Sequence, residues 1–323
     1  MTTHGDDPGL VTLALRLDAI RRAADGIHLL EFVRPDGAPL PPFTAGAHVD
    51  LHLPGGLVRQ YSLCNPPHET HRWELGVKRD AASRGGSRWL HEDLRVGSQL
   101  QVGLPRNHFP LHEDAASSVL IAGGIGITPL ACMAQRLQAL GRPFALHYGV
   151  RQRQDAALLD RIDASALRLH VDAEHGGAPL DVARVIAQAP AEAHLYCCGP
   201  GPMLDAFEAA ARAQGRPADR VHLERFAPVQ PAAVGGGYTV RLARAQQEVE
   251  VPAGQTILEA LRLHGIEVPA SCEQGICGTC ETRVLSGTPD HRDSLLSDEE
   301  RSSNRVMMIC CSGSRDPLLV LDL

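Results

Sequence analysis

Cys272, Cys277 and Cys280 stand in a C-x4-C-x2-C arrangement, and Cys310 follows near the C-terminus. Four thiolates at this spacing can hold a [2Fe–2S] cluster, whose chemistry is the movement of single electrons. The residues between them, Ser271, Gly275, Gly278 and Thr279, are small. A loop that wraps inorganic sulfide closely, with its N–H groups turned inward, needs backbone without bulk. A structural zinc site usually joins two short cysteine pairs, and only one pair is close here. Nine cysteines, an odd number, fit a reducing compartment better than a disulfide framework. Cys311, beside Cys310, competes for the fourth ligand position on local sequence alone.

Three further stretches could hold cofactors. Residues 122–129, AGGIGITP, end an apolar run and open a helical one, so backbone amides and the helix dipole there can receive a pyrophosphate. Residues 197–202, CCGPGP, end a second apolar run. Open α/β sheets bind ligands at the carboxyl edge of their strands, so the two loops are expected to share one dinucleotide. In residues 59–63, RQYSL, an arginine suited to phosphate, a tyrosine suited to a ring and a serine able to reach a flavin nitrogen lie in register. Core packing accounts for Tyr61 and Leu63 equally well. Lys78 is the only lysine among 31 basic residues, which marks a place where a guanidinium does not serve for a compact ammonium. Gly85, Gly86 and Ser87, shortly after, read as a helix start and a second anion cradle.

The elements that must position these residues fall into three stretches. From Val11 to about Leu111, period-2 segments (VTLALRL, IHLLEFV, HVDLHL, RQYSLC, WELGV, LQVGL) separated by Gly and Pro predict an antiparallel barrel. One short helix is expected over about 88–94. From Ser117 to about Phe226 the rhythm becomes strand, glycine loop, helix, which predicts a parallel α/β sheet. Thr128 is the expected N-cap of its first helix, with Pro129 in the first turn and Gly141 as the stop. Residues 227–237, APVQPAAVGGG, read as a linker. Beyond it come a hairpin, a helix opened by the capping box of Thr256 and Glu259 and stopped at Gly265, the cysteine loop, and two apolar strands in RVMMIC and LLVLDL.

Composition excludes some classes. A net charge of −7 argues against nucleic acid as a partner. No run of about 18 apolar residues is present, so no membrane span is expected. The polar, acidic residues 1–10 lack the features of a secretion signal, and a cytoplasmic location is expected. From Tyr238 to Leu323, 13 acidic against 8 basic residues place −5 of that charge in the cysteine-bearing third. Such a face is either simply solvated or steers a basic partner; Glu273, Asp293, Asp298 and Glu299 are its expected members.

The motifs RQYSLCN, VKRD…RGGS, LPRNHFPL, AGGIGITP, YCCGP and C-x4-C-x2-C, in this order over nearly the whole chain, make it resemble the phthalate dioxygenase reductases and the related vanillate demethylase reductases. The resemblance implies three modules. Residues 1–113 would be an FMN-binding antiparallel β-barrel and residues 114–227 an NAD-binding α/β domain with a parallel sheet. A linker, 228–237, would lead to an α+β plant-type ferredoxin of β-grasp form, 238–323. It implies an NADH-dependent oxidoreductase that passes electrons through FMN and a [2Fe–2S] cluster, one at a time, to a separate Rieske-type oxygenase. The isolated protein is expected to be a monomer.

Matched position by position, Arg59, Tyr61 and Ser62 correspond to the flavin-binding strand; Gln60 between them, like Ala227, is an ordinary variation on the family pattern, and Gln60 is expected at the cofactor with its neighbours. Val77, Lys78, Gly86 and Ser87 correspond to the second flavin region, with Gly86 and Ser87 at the phosphate. Gly123, Gly124, Gly126, Thr128, Cys198, Gly199 and Pro200 correspond to the nucleotide loops. Ser62, Thr128 and Phe226 are the expected catalytic set, Phe226 as the aromatic over the flavin face. Cys272, Cys277, Cys280 and Cys310 correspond to the cluster ligands, which favours Cys310 over Cys311. On residues alone the nucleotide is open: Asp172 suits a ribose hydroxyl and NAD, whereas Arg151 and Arg153 suit a 2′-phosphate and NADP. The resemblance tips the balance to NADH.

Overall fold

The computed structural model describes residues 11–81, 83 and 85–323, so the acidic N-terminus read in the sequence lies outside the described residues. The chain divides into two compact units, which meet in sequence between Arg225 and Phe226.

The first unit begins with a barrel of six antiparallel strands. These are β1 (Thr12–Ala24), β2 (Ile27–Val33), β3 (His48–Leu53), β4 (Leu57–Ser62), β5 (Trp73–Lys78) and β6 (Gln99–Gly103), in the order β4-β3-β6-β1-β2-β5. A bridge between Leu63 and Leu75 joins the two outer strands and closes it. Alternation drives this assembly: β2 buries Ile27, Leu29, Leu30 and Phe32, and β3 buries Val49, Leu51 and Leu53. Helix α1 (Gly86–Glu92) starts two residues earlier than the sequence suggested, directly after Gly85 at φ 100°.

A five-stranded parallel sheet follows. It contains β7 (Ser118–Gly123), β8 (Phe144–Val150), β9 (Leu167–Val171), β10 (His194–Cys198) and β11 (Val221–Glu224), in the order β11-β10-β7-β8-β9. Helices α2 (Ile127–Ala139), α3 (Val182–Gln188) and α4 (Gly201–Ala213) cover it. Alternate residues of β7 serve two layers: Val119 and Ile121 pack with α3 and α4, while Leu120 and Ala122 join α2 in a core continuous with the barrel. The barrel and sheet therefore share one apolar interior across the position where the sequence suggested a boundary.

One expectation at α2 is corrected. Thr128 is not the N-cap, because residues 124–126 form a 3-10 turn that runs straight into a helix starting at Ile127. The Thr128 hydroxyl donates to the Ile125 carbonyl at 3.0 Å instead of accepting from the helix start.

The second unit holds β12 (Tyr238–Leu242), β13 (Gln247–Val251), α5 (Ile257–Leu263), β14 (Glu281–Ser286), β15 (Pro289–Asp290), α6 (Asp298–Ser303), β16 (Val306–Met308), β17 (Gly313–Ser314) and β18 (Leu318–Leu321). Its main sheet runs β13-β12-β18-β14-β16, with β12 and β18 parallel, and β15 pairs with β17. The capping box of Thr256 and Glu259 opens α5, whose Ile257, Leu258 and Leu261 close over Val240, Val249, Met307 and Leu319. The Pro/Gly-rich segment before β12 has no regular structure but is tied down: Val229 N–H donates to Ser294 Oγ (3.2 Å), and Ala233 N–H to the Cys311 carbonyl (2.7 Å). Among the described residues, no helix is long and apolar enough to cross a membrane.

Candidate functional site

The strand order places β7 beside β10, although the chain reaches β10 only after β8 and β9. Between these two strands the winding reverses, and ligands of open α/β sheets lie outside the carboxyl ends at such a point. The two glycine loops predicted from sequence emerge there and touch. A Cβ on Gly126 would lie 2.1 Å from the Cys198 carbonyl oxygen, one on Gly123 2.7 Å from Pro200 Cδ, and one on Gly199 2.8 Å from Met203 Sδ. A side chain at Gly126 or Gly123 would run into the backbone or proline ring of the facing loop, so the two loops pack backbone against backbone.

The barrel forms the other wall. A Cβ on Gly76 of β5 would lie 2.4 Å from Thr128 Cγ2, so the threonine methyl rests on bare barrel backbone. Ser62, at the end of β4, lies beside the side chain of Glu224, at the end of β11, and favours its ionised form. Burial pushes the Glu224 carboxyl up to about 8, against the opposing pull of Ser62. Glu224 Oε2 is buried and has no hydrogen-bond partner. Cys198 lies opposite Glu224 in the parallel register. Burial, and then the Glu224 charge, push its thiol well up, so Cys198 is a neutral thiol and not a nucleophile.

The remaining barrel residues divide. Arg59 crosses the start of α1: a Cβ on Gly86 would lie 2.7 Å from Arg59 Cγ and 3.0 Å from its Nε. The Ser87 hydroxyl joins this corner, accepting from Asp80 N–H at 3.2 Å and donating to Ser83 Oγ at 3.0 Å. Burial pushes the Tyr61 phenol up to about 12, so it acts as a neutral ring and hydroxyl. Gln60 donates to Asp50 Oδ1 at 3.1 Å, which turns its amide to an intramolecular partner. Val77 is fully buried and offers only backbone, while Lys78 is exposed at the end of β5.

Asp172 follows the last residue of β9, at the same carboxyl edge as the glycine loops. Arg153 is held in a fork by Glu174 at 2.9 and 2.8 Å, which occupies one of the two guanidinium groups that the sequence offered to a 2′-phosphate. Phe226 is 40% exposed and is the first residue of the second unit.

In the second unit Cys272, Cys277, Cys280 and Cys310 are all buried and converge. The Cys272 thiol interacts with those of Cys277 and Cys310, and the Cys280 thiol with that of Cys310. The loop is shaped by Gly275 and Gly278 at φ 69° and 72°. The Gln274 N–H donates to Cys272 Sγ at 3.3 Å. Cys311 is also near, interacting with Cys310, but its Sγ packs where a Cβ on Gly275 would come within 2.5 Å and lies 3.7 Å from the Met308 carbonyl. Four buried thiols this close cannot all ionise without a cation among them, so the donor set fits a thiolate-bound iron–sulfur core.

One member of the expected acidic face is corrected. Asp293 is buried, and its Oδ2 accepts from the N–H groups of Leu295 (3.1 Å) and Leu296 (2.8 Å), so it organises the loop and presents no charge to a partner. Glu273 is paired with Arg262 at 2.5 Å, while Asp298 and Glu299 are exposed in the first turn of α6.

Two acids that the sequence reading did not single out matter here. Glu224 is the one acid in the short strand VHLE, and that was the available signal. Glu74 of β5, also buried, is gripped by Arg161 of the sheet half and Arg21 of β1. Burial would raise its carboxyl, but Arg161, with Arg21 and Arg72, holds it below its ordinary value.

A domain family described as a 2Fe-2S iron-sulfur cluster binding domain matches residues 240–313. The chain is 53% identical over 315 residues to the phenoxybenzoate dioxygenase subunit beta of Ectopseudomonas oleovorans, covering 97% of this chain and 98% of that protein. A solved phthalate dioxygenase reductase, described as a modular structure for electron transfer from pyridine nucleotides to [2Fe-2S], matches with TM-score 0.74 and 39% identity over 97% of this chain and 98% of that one. An intact type IV self-sufficient cytochrome P450 monooxygenase matches with TM-score 0.85 and 36% identity over the whole of this chain, which spans 43% of the length of that larger protein.

Proposed function

Because the chain belongs to the phthalate dioxygenase reductase family, we propose that it is the reductase component of a two-component Rieske-type oxygenase, drawing on NADH and delivering electrons one at a time. The observation that carries this reading is the meeting of Gly76 and Ser62 on the barrel with Thr128 and Glu224 on the sheet, at the crevice that the glycine loops frame. When bound, FMN accepts the two electrons of a hydride together and gives them up singly, and a [2Fe–2S] cluster relays them.

The residues present suit both groups. Gly86 lets the Arg59 side chain lie against the start of α1, which would set a guanidinium beside a phosphate held there. Glu224 Oε2, buried and unpartnered, fits a ring with a hydrogen to donate. Ser62 orients that carboxyl, and Glu224 holds a proton at its carboxyl oxygen through neutral pH. Gly123, Gly126 and Gly199 let a pyrophosphate approach bare backbone. The engagement of Arg153 by Glu174 leaves Asp172 to favour NADH over its 2′-phosphorylated form. Cys272, Cys277, Cys280 and Cys310 would be the cluster ligands. Asp298 and Glu299 would steer the oxygenase.

The likeness to a self-sufficient P450 favours a second acceptor class, a haem oxygenase. Reconstitution with a panel of Rieske and haem oxygenases, scored as hydroxylated product per NADH consumed, separates the two. Coupled product with a Rieske component supports the proposal, and coupling to haem oxygenases alone overturns it.

A further inference from the structure

At the edge of the parallel sheet opposite the glycine loops, three histidines come together. His194 is the first residue of β10, His222 the second of β11, and His112 lies in the connection 104–117 between barrel and sheet. One ring nitrogen from each lies within 4.8 Å of the others, and His194 Nδ1 and His222 Nε2 are 3.0 Å apart. The redox crevice makes no use of them, since β10 and β11 carry Cys198 and Glu224 at their other ends.

The group is built and not incidental. The His112 N–H donates to the Tyr196 hydroxyl at 2.9 Å, which fixes the connection against the sheet. The Tyr196 ring stacks on His222 with centroids 4.6 Å apart, which fixes the second imidazole. Of the neighbouring acids, Glu113 is held in a fork by Arg136 at 2.8 and 2.7 Å and Asp114 is paired with Arg142, while the Asp219 charge lies close enough to act on His194 and His222 and favours a cation there. His112 and His194 open onto a cleft between Leu111 and Ala115, which leaves a path for an ion and room for a water.

We propose that His112, His194 and His222 form a site for a borderline divalent transition ion, with zinc as its representative, which ties the barrel-to-sheet connection to the sheet edge. Imidazole is the ligand that zinc, nickel and copper share, and three with an open fourth position make a complete protein donor set. At a Zn–N length of about 2.0 Å, tetrahedral ligand nitrogens sit about 3.3 Å apart. His194 Nδ1 and His222 Nε2, now hydrogen-bonded to each other, already have nearly that separation; the donating ring would carry its proton on its other nitrogen when an ion binds, and His112, exposed on its connection, closes the remainder.

The test uses the full chain with flavin and iron–sulfur cluster in place, washed with chelator and titrated with zinc(II) by calorimetry, with melting temperature followed in parallel. One equivalent should bind with a Kd of about 10 μM or tighter and raise the melting temperature, because an ion that binds only the folded state stabilises it. His112→Ala and, separately, His194→Asn should each weaken that equivalent by about tenfold or more, as loss of a ligand does. Both variants should keep wild-type flavin and iron contents. Absence of a zinc equivalent tighter than about 100 μM, or an unchanged Kd in both variants, would leave the cluster as stacked neutral rings and overturn the proposal.

Discussion

Ser62 lies beside the Glu224 carboxyl, although one ends a barrel strand and the other ends the outermost strand of a parallel sheet. The two halves of the crevice thus meet at a carboxyl that burial keeps protonated up to about pH 8. Above that pH a negative charge would stand where electron density must arrive. The rate of NADH-dependent flavin reduction, followed by stopped flow, should therefore fall through a step near pH 8. Glu224→Gln should abolish the step. Ser62→Ala should move it upward, since the serine favours the ionised form. For stability the sign is the same: the carboxyl's ordinary value is 4.5, so burial of Glu224 costs folding free energy increasingly as pH rises from there to about 8. Glu224→Gln should flatten that slope in urea melts.

Gly126→Ala tests the nucleotide crevice. Its Cβ would fall 2.1 Å from the Cys198 carbonyl, so the loops must separate. A shift of this order at a positioning loop costs about 100-fold. The kcat/KM for NADH should drop accordingly, while iron content stays at the wild-type level.

The cysteines separate cleanly. Cys310→Ser should lose the cluster, whereas Cys311→Ser, whose sulfur lies against Gly275, should retain it. Iron analysis and the visible spectrum of purified protein read both outcomes. NADH-dependent flavin reduction should persist within about twofold in each, because no cysteine ligand takes part in hydride transfer.

Glu74 predicts an acid limit on stability. Its carboxyl is held below the ordinary 4.5, chiefly by Arg161 once the cost of burial is met. The stabilisation is present above the unfolded value and is lost as pH falls through the folded one. Glu74→Gln leaves Arg161 without its buried partner and should cost about 3–5 kcal/mol at neutral pH. It should also make stability less dependent on pH in the acid range, because the carboxyl whose protonation Arg161 opposes is gone.

Much of this was legible in the chain, for reasons that differ by element. The cysteine spacing is local chemistry, and it led to four sulfurs that meet. Alternation in IHLLEFV and HVDLHL marked the barrel strands because one face of each packs on apolar neighbours, although in the second the polar face, with His48 and Asp50, is buried as well. The start of α2 was misplaced by two residues, because a 3-10 turn through Gly124 to Gly126 merges with the helix, and a threonine that resembles a cap spends its hydroxyl on Ile125 instead. Asp293 read as surface charge because local sequence does not show that its carboxylate closes a loop onto Leu295 and Leu296. Glu224 and Glu74 were missed for the converse reason. Their partners, Ser62 and Arg161, come from distant strands and turns, and only folding brings them together.

The central claim is that NADH oxidation at the barrel–sheet crevice fills an iron–sulfur centre held by Cys272, Cys277, Cys280 and Cys310. The direct measurement is anaerobic addition of NADH to the purified holoprotein, followed by low-temperature EPR with iron, sulfide and zinc analysis of the same sample. A reduced [2Fe–2S] signal from about one centre, with about two irons per chain, is the predicted result. A sample that consumes NADH yet stays EPR-silent, or that holds zinc in place of iron, would contradict the account.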